Sequence, residues 1–128
     1  MSINRNRLAN AKNPFQGKMK RVLCVCSAGL LRSPTIAWIL SNPPFNFNTR
    51  ACGASPEYAL IPLDEALVYW ADEVIAVEQW QIDRVLRIDP NKKVRLINTP
   101  DRYETRQKEL VEYLIPKLKE TFGEDIRN

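Results

Sequence analysis

The sequence predicts an α/β domain, a parallel sheet with helices packed on both of its faces. Three observations predict it. Short apolar runs alternate with helical patterns along the chain, as right-handed crossovers between parallel strands require. The runs are apolar nearly throughout rather than at every second residue, which marks strands covered on both faces. The helical segments each offer an apolar face or are apolar on nearly every side, so each can bury against such a sheet. The 128 residues, 45% hydrophobic and 27% charged, amount to one domain.

Residues 20–26 read as the first strand. Ser33-Pro34-Thr35 then opens a helix, with Ser33 as N-cap and proline in the first turn, where its missing N–H is no loss. That helix, apolar through residues 36–40, is expected to be largely buried and to stop before Asn42-Pro43-Pro44. Residues 48–52 form a second strand, closed by Gly53. Residues 62–70 read as a helix on the spacing of Leu63, Ala66, Leu67 and Trp70. Residues 73–77 form a third strand. Residues 79–88 form a helix with Ile82, Val85 and Leu86 inward, ending at Asp89-Pro90, and residues 94–97 a fourth strand. Residues 105–122 close the domain as a helix with Leu110, Leu114, Ile115 and Leu118 inward and Gly123 past its end, and Pro116 is expected to kink it.

Charge separates a tail from the domain. The formal net charge is +4, yet residues 1–21 hold six basic residues and no acid. Residues 22–128 hold 13 basic and 15 acidic residues, a net of −2. Residues 1–19 are therefore expected to be a basic, flexible tail, and residues 20–128 a single domain. A basic tail can touch nucleic acid or an anionic membrane, but an unstructured leader explains the same composition. A nucleic-acid partner is not expected on this evidence, nor is a membrane. No window holds the roughly 20 apolar residues that span a bilayer, and residues 1–20 lack the apolar core of a secretory leader. Three cysteines make no disulfide framework, so a cytoplasmic, reducing location is expected.

The sequence contains no histidine. This excludes Ser-His-Asp and Cys-His nucleophile activation and any imidazole-based zinc site; no metal or cofactor is expected.

Chemistry concentrates in Cys26-Ser27-Ala28-Gly29-Leu30-Leu31-Arg32-Ser33. Cys26 falls where the first strand ends and Ser33 where a helix begins. A short loop there aims successive backbone N–H groups into one concavity, a nest for a tetrahedral anion, and the helix N-terminus adds its dipole. Gly29 suits a left-handed position in mid-loop. Arg32 offers two in-plane donors to two phosphate oxygens. Helix N-termini and adjacent cations stabilise a thiolate without help from imidazole, and the Ser33 hydroxyl is placed to add a hydrogen bond to it. The loop is thus expected to make a cysteine nucleophile and to hold the phosphoryl group that it attacks.

Residues 25–34, Val-Cys-Ser-Ala-Gly-Leu-Leu-Arg-Ser-Pro, resemble the Cys-x5-Arg-Ser-Pro signature of low-molecular-weight protein tyrosine phosphatases. The similarity continues in Ala51-Cys52-Gly53-Ala54-Ser55, Trp70-Ala71-Asp72-Glu73-Val74-Ile75 and Pro100-Asp101-Arg102-Tyr103. It covers roughly residues 20–120 and is with the compact bacterial and phage-type members. The resemblance implies a three-layer, flavodoxin-like sheet of order 2-1-3-4 and a phosphomonoester hydrolase working through a phosphocysteine. A phosphotyrosine protein or a small aryl phosphate is the implied substrate. It also implies a general acid on a late loop. Asp101, followed two residues on by Tyr103, matches that position, though a turn aspartate would also suit Thr99-Pro100-Asp101. Asp89 is the runner-up, since family members follow their acid with proline. Tyr103, and less directly Tyr58, are candidates for the pocket wall.

Two departures from the pattern stand out. Gly29 replaces the family's loop-bracing Asn, and Leu31 stands where a second, protective cysteine is usual. Cys24 and Cys52 read as core thiols. The alternative function is a weakly active or inactive phosphate-loop domain that binds a phosphorylated partner. Thiol-coupled arsenate reduction fits poorly, because no cysteine follows Cys52.

Overall fold

The computed structural model describes residues 19–27, 32–57, 59–99 and 108–123. The expected tail thus lies, apart from Met19, outside the described residues. Among the described residues, four strands alternate with four helices: β1 (Arg21–Cys26), α1 (Arg32–Leu40), β2 (Asn48–Gly53), α2 (Glu65–Trp70), β3 (Glu73–Ala76), α3 (Gln79–Ile88), β4 (Val94–Leu96) and α4 (Lys108–Thr121). All strand pairings are parallel and the order is β2-β1-β3-β4, as expected.

β1 is the central strand, which explains its unbroken apolar run. It pairs with β2 from Arg21↔Asn48 to Cys26↔Gly53 and with β3 from Val22↔Glu73 to Val25↔Ala76. Its side chains alternate between two cores. Val22, Cys24 and Cys26 join the core under α1 and α4, while Leu23 and Val25 join the core under α2 and α3. In the first core, Phe47 stands 5.9 Å from the Phe45 ring and 5.2 Å from that of Phe122. Burying each of these rings stabilises the fold by about 1.5–3 kcal/mol.

Most elements lie where the sequence put them; the differences have local causes. α1 begins at Arg32, so Ser33 lies inside its first turn rather than at its cap. Its hydroxyl is engaged with Cys26 and Cys52 instead. α2 is shorter than residues 62–70. Asp64 caps it, accepting from Leu67 N at 2.8 Å, because residues 61–63 are drawn into extended pairing with Gly53. There Gly53 N donates to Ile61 O at 2.9 Å and Leu63 N to Gly53 O at 2.8 Å. Ala66 is consequently exposed, and Val68 joins Leu67 in the core. In α3 Val85 and, unforeseen, the polar Gln81 are fully buried, and Ile82 packs part-buried against the same core, as expected. Leu86 is only part-buried. α4 buries Leu110, Leu114 and Leu118 and continues through Pro116.

The amino edge of the sheet is fastened by a carboxylate with no solvent exposure. Glu73, the first residue of β3, lies 2.7 Å from Lys20 Nζ and 3.5 Å from Lys93 Nζ, and it pairs with the Arg95 guanidinium. It thereby ties the approach to β1 to β3 and β4. Beside it, the Arg21 backbone N–H donates to Asp72 Oδ2 at 2.9 Å. That bond first, and then the Arg21 side chain, outweigh partial burial and hold the Asp72 carboxyl below the usual carboxylate range.

Candidate active site

In a parallel sheet the carboxyl ends of the strands carry the ligand site, and β1 delivers Cys26 to that edge. Cys26 is 2% exposed. Its position is set by the ladder, which continues past the sheet. Ala54 N donates to Cys26 O at 2.7 Å, and Ser55 N to Ser27 O at 2.9 Å. The start of the segment that joins β1 to α1 is therefore braced by the exit from β2.

Ser33 sits one turn into α1 with its Oγ 3.0 Å from Cys26 Sγ. The same hydroxyl donates to Cys52 O at 3.2 Å. Its single proton thus has two acceptors within reach, the β2 carbonyl and the sulfur. With a thiol the hydroxyl donates to Cys52 O; with a thiolate the charged sulfur is the stronger acceptor.

Arg32 is the first residue of α1 and 3% exposed. A guanidinium buried this deeply must be paired, and three segments supply its partners. Nη1 donates to Thr99 O at 2.9 Å, and Nη2 donates to Glu78 Oε2 at 2.9 Å and to Ser27 Oγ at 3.4 Å. The guanidinium charge is therefore fixed over the carboxyl ends of β1, β3 and β4. Glu78 is itself oriented by the Trp80 indole, which donates to its Oε1 at 3.2 Å.

The other two cysteines are both buried and free. Burial, and next the charge of Cys26, push the Cys24 thiol far above its ordinary value. It stays protonated, as a core thiol should. Among the described residues, no cluster of three His, Cys, Asp or Glu side chains could hold a metal ion.

Solved structures share this architecture. The Erwinia amylovora tyrosine phosphatase AmsI matches 86% of this chain and 95% of its own length, with a TM-score of 0.65 at 17% identity. The tyrosine phosphatase Wzb from Escherichia coli K30, in complex with phosphate, matches 85% and 99% at 0.62 and 17%. The chain has the low-molecular-weight tyrosine phosphatase fold. The same fold extends to the YwlE arginine phosphatase of Geobacillus stearothermophilus, which covers 85% of this chain and 99% of its own, with a TM-score of 0.55 at 16% identity. No protein-family model and no curated protein sequence matches the chain.

Within this phosphatase fold, Cys26, Ser27, Arg32 and Ser33 come together as the loop's two described ends. Ala28, Gly29, Leu30 and Leu31 lie outside the described residues, as do Tyr58, Asp101 and Tyr103. Asp89 lies at the other edge of the sheet. It ends α3, accepts from Asn91 N at 3.0 Å, and neighbours Lys92, whose Nζ bonds the carbonyl of Ala71 just before β3.

Sequence reading missed Glu78, Gln81 and Thr99 as site residues. Thr99 contributes only its carbonyl, which no side-chain pattern reveals. Glu78 and Gln81 did leave a trace, because Glu-x-x-Gln at a strand-to-helix junction has the spacing of a capping box.

Proposed function

We propose that this protein is a phosphomonoester hydrolase of the low-molecular-weight protein tyrosine phosphatase type. One observation carries the reading: a cysteine at the end of the central strand has a serine hydroxyl 3.0 Å from its sulfur, and a buried arginine is held against the hydroxyl of the next residue, Ser27.

The Cys26 thiolate attacks phosphorus; an S–P bond forms as the ester P–O bond breaks. Arg32 and the loop N–H groups hold the phosphoryl oxygens, on which negative charge is concentrated in the transition state. Asp101 gives its proton to the departing oxygen, since an alcohol or phenol leaves more readily than its anion. Water then attacks the phosphocysteine, Asp101 takes its proton back, and phosphate and the Cys26 thiolate are released. Asp101 is supported by its neighbourhood. Thr99, two residues earlier, accepts a hydrogen bond from Arg32, and two residues span at most about 7 Å. Asp89 at the opposite edge has no such route.

Phosphotyrosine in a protein is the substrate class that the sequence resemblance and the tyrosine phosphatases AmsI and Wzb support. A cytoplasmic setting fits the buried free thiols, and no helix among the described residues is long and apolar enough to cross a membrane. The test is hydrolysis of para-nitrophenyl phosphate by wild type and Cys26→Ser. Turnover that disappears with the sulfur supports the reading. Phosphate binding without Cys26-dependent turnover selects the alternative, a non-catalytic phosphate-loop domain.

A further inference from the structure

The hydroxyl of Ser27, next to the nucleophile, is where two parts of the molecule converge. Arg32 Nη2 reaches Ser27 Oγ at 3.4 Å from α1, and Gln81 Nε2 reaches it at 3.4 Å from α3. A hydroxyl oxygen has two lone pairs and one proton. Two N–H donors take the lone pairs, so the Ser27 O–H is left to donate elsewhere.

Gln81 makes this orientation firm. It is a glutamine with 0% exposure in the first turn of a helix, and a buried amide must be satisfied. Its Oε1 accepts from Val77 N and from Glu78 N, both at 3.0 Å. Two backbone donors fix which end of the amide is oxygen, so the NH2 end is the one turned to Ser27. A closed ring results. Gln81 caps the backbone of Glu78, Glu78 holds Arg32, Arg32 donates to Ser27, and Ser27 accepts from Gln81. The ring joins the first residue after Cys26 to the last of the loop, and it does so from a helix outside the loop.

We propose that Gln81 is a positioning residue that turns the Ser27 hydroxyl, and that this hydroxyl donates to a phosphoryl oxygen of a phosphate monoester bound at Arg32. The inference rests on the phosphatase reading and adds a side-chain donor to the loop's backbone donors. It also supplies a brace from outside the loop, where Gly29 offers no side chain of its own.

The experiment compares wild type, Ser27→Ala, Gln81→Met and the double variant. The readouts are KM and kcat for para-nitrophenyl phosphate, inhibition by inorganic phosphate, and protection of Cys26 from iodoacetamide by phosphate. A hydrogen bond to a charged oxygen is worth about a tenfold change in affinity. Ser27→Ala is expected to weaken phosphate inhibition and protection about tenfold, measured at a temperature where each variant is fully folded. Gln81→Met is expected to weaken phosphate inhibition and protection equally while lowering thermal stability, because Val77 N and Glu78 N lose their acceptor. The double variant is expected to weaken phosphate binding no more than either alone, since both act on it through one hydroxyl. Phosphate inhibition in Ser27→Ala within twofold of wild type overturns the proposal. So does full additivity in the double variant, which would make Gln81 a helix cap and nothing more. Loss of Cys26-dependent turnover in wild type sinks the phosphatase reading, while the protection measurement still decides the role of Ser27.

Discussion

Replacing Glu78 by glutamine removes one charge and almost no volume from the Arg32 pair. The guanidinium is 3% exposed and the carboxylate 42%, at 2.9 Å. A hydrogen bond to a charged group contributes about 1.5–3 kcal/mol, and because Glu78 is nearly half in water the expected loss falls to about 1 kcal/mol. For a domain near 100 residues that lowers Tm by about 4–8 °C. The loss is conditional on an empty site. A bound phosphate stabilises the wild type by about 2.7 kcal/mol at 100 times its Kd. In the variant it also returns a counter-charge to Arg32. Thermal unfolding in phosphate, against chloride of equal ionic strength, is therefore expected to narrow the gap between Glu78→Gln and wild type to under half. An equal gap in both salts would refute the reasoning, because Glu78 would then be holding something other than the arginine's charge.

Three further outcomes are expected. Ser33→Ala removes the hydroxyl 3.0 Å from Cys26 Sγ and is expected to lower kcat/KM about 10- to 100-fold, the kinetic equivalent of one charged hydrogen bond. Asp101→Ala is expected to cost about 10²–10⁴ in kcat with phenyl phosphate and less with the better nitrophenyl leaving group, whereas Asp89→Ala stays within about twofold; the reverse ranking overturns the assignment. The Asp72 carboxyl is depressed in the fold by the Arg21 N–H, so its stabilisation is present above about pH 4, the unfolded value. It is lost as pH falls through the lower folded value. In urea unfolding between pH 3 and 6, Asp72→Asn is expected to flatten that acid limb by less than about 1 kcal/mol.

The legible part of this chain is the part written in apolar periodicity. β1 could be read as a doubly covered central strand because Val22, Leu23, Cys24 and Val25 leave no polar residue for solvent, and α3 was read to its observed ends. α2 was overextended because the spacing of Leu63 to Trp70 is helical, while the pairing of residues 61–63 with Gly53 is a tertiary contact invisible to local pattern. At the site, Cys26, Arg32 and Ser33 were legible because eight contiguous residues hold them at a strand-to-helix turn. Glu78, Gln81 and Thr99 were not, because they reach the loop from 46, 54 and 67 residues away. Their role comes from sheet order, and a short motif says nothing about its distant neighbours.

The Ser33 hydroxyl, standing between Cys26 Sγ and the carbonyl of Cys52, amounts to a one-proton toggle. When the sulfur is charged the toggle lies toward it, and the Cys52 carbonyl loses a donor; when the sulfur is alkylated or carries phosphate, the donor swings back. On the proposed mechanism, the state of the Cys26 sulfur is thereby carried to a backbone group of the adjacent strand, where a carbonyl isotope label at Cys52 reports it without touching the sulfur.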